Sequence, residues 1–172
     1  YTFQIAKGSA SDPQQARNAI AGGSLPEIQL TPLDWDQRNT VNMSLAYDRA
    51  NWGISGIGQF GSGLPYTPLS TEDISSLVLN SGKKPLTWNV DLKGYFIPRD
   101  GLRLFIRAEN IFDRLNPYTV YDDSGVADFT RWENIAKSQN TGEPINSISK
   151  WFLNETFYSN PRRIELGLSY VF

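Results

Sequence analysis

Arg162-Arg163-Ile164-Glu165-Leu166-Gly167-Leu168-Ser169-Tyr170-Val171-Phe172 closes the chain, with an apolar residue at every even position from Ile164 and mostly charged, small or polar residues between them. Successive side chains of a strand point to opposite faces, so this run offers one continuous apolar face and one mixed face. Its length is close to the ~9–11 residues that a tilted membrane strand requires.

The same alternation recurs upstream, and strands are predicted over residues 1–7, 37–47, 52–60, 87–97, 102–112 and 162–172. In the second, Val41, Met43, Leu45 and Tyr47 share one face; in the fourth, Trp88, Val90, Leu92, Gly94 and Phe96 do. In the fifth, Leu102, Leu104, Ile106 and Ala108 oppose Arg103, Phe105, Arg107 and Glu109. Tight turns are expected at Asp48-Arg49-Ala50-Asn51 and Pro98-Arg99-Asp100-Gly101, and long connections over residues 8–35, 61–86 and 114–161. Consecutive antiparallel strands place alternate connections at opposite ends, so all long loops gather at one end and all tight turns at the other. Outer-membrane barrels have this asymmetry, with short periplasmic turns and longer extracellular loops. It assigns both Tyr1 and Phe172 to the tight-turn end. The expected fold is all-β, an antiparallel meander of six transmembrane strands.

Composition excludes several other classes. The mean hydropathy is −0.40, and no apolar stretch approaches the ~18 residues of a transmembrane helix. With Lys+Arg 16 against Asp+Glu 18 and no basic stripe, nothing marks a nucleic-acid partner. There is no cysteine, hence no disulfide framework or thiolate metal site. There is no histidine, which removes the usual general base, the Ser-His and Cys-His nucleophile pairs and most zinc arrangements; an enzyme is not expected. No cofactor is expected either. The aromatic share of 13% suits interfacial girdles. The chain starts at Tyr1 without a Met or a signal peptide, and reads as mature, truncated or a fragment.

Charge decides which face meets lipid. Turning the fifth strand over would set Arg103 and Arg107 against hydrocarbon, at about 2–4 kcal/mol each near the midplane. Turning the fourth over would expose Asp91 and Lys93. The lumen side is therefore expected to carry Asp91, Lys93, Arg103, Arg107 and Glu109, and the apolar faces to look outward. Two registers fit the hairpin joining these strands. The one that sets Asp91 opposite Arg107 is expected, because the other opposes Lys93 to Arg107, although that one gives Gly101 a favourable turn. In the other hairpin, Tyr47 is expected opposite Trp52. Six strands cannot enclose such a lumen, since the smallest single-chain outer-membrane barrels use about eight, and two unpaired edges would be left in lipid. The chain reads as one part of a larger barrel.

Four motifs in order carry a family resemblance. Leu33-Asp34-Trp35-Asp36-Gln37-Arg38-Asn39-Thr40 resembles the start of a late barrel strand in TonB-dependent outer-membrane receptors, with Asn39 where the family usually has His. Gly61-Ser62-Gly63-Leu64-Pro65-Tyr66-Thr67-Pro68 is similar to their strand exit, and Ala108-Glu109-Asn110-Ile111-Phe112-Asp113-Arg114 to their penultimate strand. The closing run resembles their last strand, whose terminal aromatic is the signal read by the barrel-insertion machinery. The resemblance covers roughly residues 34–172. It implies a plugged barrel of about 22 strands, of which residues 1–172 supply the C-terminal portion. It also implies location in the cell outer membrane of a Gram-negative bacterium, and TonB-energised uptake of a scarce ligand such as a siderophore, cobalamin or oligosaccharide. The plug domain, through which TonB would act, lies outside this sequence.

On that reading Leu166, Leu168, Tyr170 and Phe172 form the insertion signal, although the same residues could simply be lipid-facing filler. The lumen charges could contact plug or substrate, or pair structurally with neighbours and water. Tyr118, Tyr121, Trp132, Trp151 and Phe152 in the longest connection are candidate ligand contacts, or they pack the loop itself. Asp122, Asp123 and Asp128 match no calcium-loop spacing and read as solvated acids; no metal site is expected. The alternatives to uptake are a passive porin or structural barrel and, third, a soluble carbohydrate-binding β-sandwich. Replacing Phe172 by Ser in the full chain is expected to reduce assembled barrel in outer-membrane fractions; unchanged assembly would remove the insertion-signal role.

Overall fold

In chain order the strands are β1 (Thr2–Phe3), β2 (Lys7–Gly8), β3 (Thr31–Pro32), β4 (Asn39–Asp48), β5 (Trp52–Gly61), β6 (Pro65–Tyr66), β7 (Gly82–Lys83), β8 (Thr87–Arg99), β9 (Leu102–Glu109) and β10 (Arg163–Tyr170). They come from a computed structural model that describes residues 1–12, 14–25, 29–69, 78–140 and 147–171. One antiparallel six-stranded sheet runs in the order β1-β4-β5-β8-β9-β10, a meander in which each strand pairs with the next long segment of the chain. It is open, and no barrel closes among the described residues. The expectation of an all-β chain is too narrow. Helices α1 (Gln15–Ala21), α2 (Arg131–Gln139) and α3 (Ile148–Phe152) and a 3-10 turn at Glu155–Phe157 occupy the long connections, where alternation is absent. The pairs β2–β3 and β6–β7 are small ribbons in the first and second connections.

The ladder converts the sequence alternation into two faces. One carries Val41, Met43, Leu45 and Tyr47 of β4, Trp52 and Ile54 of β5, Leu92 and Phe96 of β8, Leu104 and Ile106 of β9, and Ile164, Leu166, Leu168 and Tyr170 of β10. None of these is covered: Leu104 is 39% exposed, Ile106 45%, Leu168 63% and Leu166 79%. Apart from glycine and Pro65, the buried apolar residues among those described are Ala6, Val120 and Ala127, and none of these belongs to the large sheet. The chain exposes 12504 Å², against about 8,500 Å² for a folded soluble monomer of this mass. Among the described residues α2 and α3 pack on one another, and no helix packs on either face of the large sheet.

The tight ends differ from the expected registers for local reasons. At the β8–β9 turn Arg99 pairs with Leu102 around Asp100 and Gly101, and Gly101 has a φ of 79°, a conformation that costs a side-chain-bearing residue about 1–2 kcal/mol. One extra β8 residue is then taken up by a bulge between Phe96 and Arg99, where Pro98 has no N–H to lose from the ladder. Beyond the bulge Lys93 lies opposite Arg107, so the expected Asp91–Arg107 pair does not form. Glu165 of β10 makes the like-charge pair tolerable by meeting Arg107 (3.5 Å), and Asp91, left without Arg107, accepts instead from the Asn110 N–H and the Asn89 amide, both at 2.8 Å. In the β4–β5 hairpin Tyr47 is opposite Ile54, not Trp52, because Arg49 N–H closes the turn on the Trp52 carbonyl (2.8 Å). The Tyr47 and Trp52 rings still meet diagonally, with centroids 5.6 Å apart.

The first strand is shorter than expected. Thr2 pairs with Thr40 and Phe3 with Asn39, at the long-connection end of β4, so Tyr1 lies at that end and not beside the tight turns. β9 likewise stops at Glu109 rather than reaching residue 112, because Asn110 adopts a φ of 51°.

Asp36 holds the first of these junctions. Its side chain is wholly buried and accepts from the Ala6 N–H and from Arg38 Nε, each at 2.8 Å, which ties the chain leaving β1 to the start of β4. Burial opposes its ionisation, but the Ala6 and Arg38 bonds outweigh burial and hold its pKa below the usual carboxylate range. A carboxyl whose folded pKa is depressed stabilises fully above its unfolded value, about 4, and loses that contribution as pH falls through the folded pKa. Asp36→Ala is expected to lower the thermal midpoint at neutral pH and to shrink the wild-type decline below about pH 4. Parallel melting curves of variant and wild type at every pH would contradict this assignment.

Candidate functional site

At the long-connection end, the polar face of the sheet is bounded by the returning third connection, and a concavity of about 540 Å³ lies between them. Gln59 of β5 pairs with Asn89 of β8, and alternation turns both to this face. Glu109 comes from the end of β9, while Tyr118, Asn160 and Arg162 come from the connection. A second hollow of about 190 Å³ continues toward β4 and shares Gln59, Asn89, Asn116 and Tyr118 with the first.

Two asparagines build the floor. Asn116 acts as a strand partner for Trp88: its Oδ1 accepts from the Trp88 N–H (2.9 Å) and its Nδ2 donates to the Trp88 carbonyl (2.8 Å). Asn110, at positive φ, donates from Nδ2 to the carbonyls of Arg114 (2.9 Å) and Asn160 (3.1 Å), and accepts at Oδ1 from the Arg114 N–H (3.0 Å). The segment before β10 is thereby fastened to the end of β9. Asp113 adds a bond to the Arg162 N–H (2.8 Å). The bonds to Asn110 and Asn116 are structural, whereas Asn89 Oδ1 is enclosed and has no partner among the described residues.

The five expected lumen charges do share one face. Arg103 lies over the Tyr95 ring (4.0 Å to the centroid), Arg107 meets Glu165, and Glu109 is opposite Arg163, which itself pairs with Glu165. Asp91 and Glu109 reach the concavity; Lys93, Arg103 and Arg107 lie nearer the tight turns. Leu166, Leu168 and Tyr170 lie on the apolar face, and Phe172 is outside the described residues.

The loop aromatics are dispersed rather than gathered into one site. Tyr118 lines both hollows and is 60% exposed. Tyr121 packs against Phe157 (centroids 5.0 Å apart) and donates its hydroxyl to the Phe152 carbonyl, so both Tyr121 and Phe152 belong to the loop's own packing. Trp132 and Trp151 project into solvent from α2 and α3. Those helices are joined by Glu133, which accepts from Lys137 (2.6 Å) and Ser149 (2.5 Å); these bonds hold its pKa below the usual range. Asp123 accepts from Thr130 Oγ1 (2.8 Å) and the Arg131 N–H (2.7 Å) at the start of α2, and no metal-binding cluster exists among the described residues.

Gln59, Asn89, Asn160 and Arg162 are cleft residues missed by the sequence reading. Alternation alone could have flagged the first two as polar-face residues beside the long loops. Asn160 and Arg162 gain their position only through the fastening by Asn110 and Asp113.

Comparisons of the chain with protein-family models, curated proteins and solved structures return no match.

Asn110→Ala removes three side-chain hydrogen bonds and forces alanine into the left-handed region. The expected cost is about 2–4 kcal/mol, read from chemical or thermal unfolding. Asn110→Gly, which relieves the backbone term alone, is expected to lose less; equal losses for the two variants would contradict this.

Proposed function

We propose that the chain is the C-terminal six-strand part of a TonB-dependent receptor barrel in the outer membrane of a Gram-negative bacterium. The activity on this reading is energised uptake of a scarce ligand, a siderophore, a cobalamin or an oligosaccharide. The observation that carries it is an open sheet with an uncovered apolar face bordered by aromatic residues at both ends.

At the tight-turn end the border consists of Tyr47, Trp52, Phe96 and Tyr170; at the other it includes Phe60 and Trp88, which pair across β5 and β8, with Phe112 against Trp88 (5.3 Å). Trp52 and Phe60 are eight residues apart on β5, about 27 Å along the strand. A tilt of about 40° reduces this to roughly 21 Å of height, near the ~25 Å apolar band of outer-membrane barrels. Between the borders the face is aliphatic. The connection pattern supports the same orientation, with tight turns at one end and long connections at the other. The outer edge of β10 and the β4 edge beyond Tyr1 have no strand partner among the described residues. In lipid each unsatisfied backbone group would cost several kcal/mol, so this setting demands further strands. A soluble sandwich formed by this chain alone would need the apolar face covered, and no described element covers it.

The test uses the full-length chain in outer membranes. Migration on gels is expected to shift between unboiled and boiled samples, and ligand uptake to stop when the proton-motive force is collapsed. Heat-independent migration would count against a barrel, and uptake indifferent to the proton-motive force would favour a passive porin.

A further inference from the structure

We infer that the cleft at the long-connection end of the polar face binds a neutral polyhydroxylated ligand, an oligosaccharide, through side-chain amides and the Tyr118 ring. This inference rests on the receptor reading and selects one ligand class within it.

The first argument is the chemistry of the groups left free. Asn110 and Asn116 are consumed by the floor, but the side chains of Gln59, Asn160, Glu109 and Arg162 make no hydrogen bond among the described residues, although all border the hollow. Amides present a donor and an acceptor side by side, which matches the donor and acceptor character of a hydroxyl. Asn89 supplies a more pointed observation. Its Nδ2 is committed to Asp91 (2.8 Å), while its enclosed Oδ1 has no donor among the described residues. A buried acceptor without a partner is costly, and a ligand hydroxyl reaching it would recover that cost.

Charge balance gives the second argument. Asp91 and Glu109 on the wall are matched by Arg162 and Arg163, so no net positive field favours an anionic iron chelate. Shape gives the third. The two hollows share Gln59, Asn89, Asn116 and Tyr118, and together their linings form a groove that reaches from Asn42 on β4 to Arg163 at the start of β10. Four inter-strand spacings make this groove about 19 Å long, enough for an oligomer lying across the strands. Tyr118 borders both hollows with an exposed ring, an apolar surface of the kind that the C–H faces of sugar rings cover.

The experiment is an intrinsic tryptophan-fluorescence titration of the purified full-length chain in detergent. The probes are maltohexaose, xylohexaose and mannohexaose, set against a ferric tricatecholate and cyanocobalamin. At least one hexasaccharide is expected to bind, and Gln59→Ala, Asn89→Ala and Tyr118→Ala are each expected to weaken it by about tenfold, or about 1.4 kcal/mol, while the heat-dependent gel shift stays intact. Hexasaccharide binding indifferent to all three substitutions would overturn the inference. So would binding of the ferric chelate or cobalamin alone, or of no probe. Those outcomes with the gel shift preserved reject the ligand class and leave the receptor reading standing; loss of the gel shift in the unsubstituted chain rejects both. Hexasaccharide binding that depends on these residues, with uptake independent of the proton-motive force, supports the cleft and rejects energised uptake.

Discussion

Water must be kept from Met43, Leu45, Ile54, Ile106, Leu166 and Leu168, and no described part of the chain does so. Burying a single such side chain is worth about 1.5–3 kcal/mol, and with Leu92 and Phe96 of β8 the row crosses five strands and amounts to more than the net stability of an ordinary domain. A sheet with this surface has to meet something apolar. The other features are arranged around that demand: aromatic residues at both ends of the face, charges on the opposite face, and loops at one end long enough to hold helices and ribbons.

The opposite face meets its own demand differently. Its charges are offset locally, through Arg107 and Arg163 with Glu165, Arg103 over Tyr95, and Asp91 with two amide donors. Wet surroundings leave such pairs nearly neutral in energy, whereas hydrocarbon would charge each cation several kcal/mol. The two faces thus call for different solvents, which is the physical content of the proposed barrel wall. At the loop end amides join the charges of the polar face, and two asparagines close it into a cleft by standing in for missing backbone partners.

Period-two alternation made four of the six principal strands legible to within two residues at each end, and it assigned the faces that the ladder carries. Registers were less legible. Cross-strand charge favoured Asp91 opposite Arg107, but a bulge near Pro98 and the two-residue turn at Asp100-Gly101 control the offset, and Glu165 from a third strand relieves the resulting like-charge pair. A pairwise rule cannot include that third strand. The cleft was partly legible: Gln59 and Asn89 follow from alternation and Tyr118 from loop composition. The placement of Asn160 and Arg162 depends on contacts spanning some fifty residues, through Asn110 and Asp113, and no local pattern encodes these. The helices in the connections lack the alternation that defined the strands. The motif around Asp36, read as a family signature, has a plain local use as the clasp between β1 and β4.

Because the chain has no cysteine, single cysteines can be introduced one at a time without background. Spin labels at successive positions 163–169 of β10, in the full-length protein reconstituted in bilayers, test the two-solvent claim most directly. Labels at 164, 166 and 168 should be accessible to oxygen and shielded from a water-soluble nickel reagent, with the reverse at 163, 165, 167 and 169. Loss of this two-residue alternation, or nickel access at 166 and 168, would contradict the account.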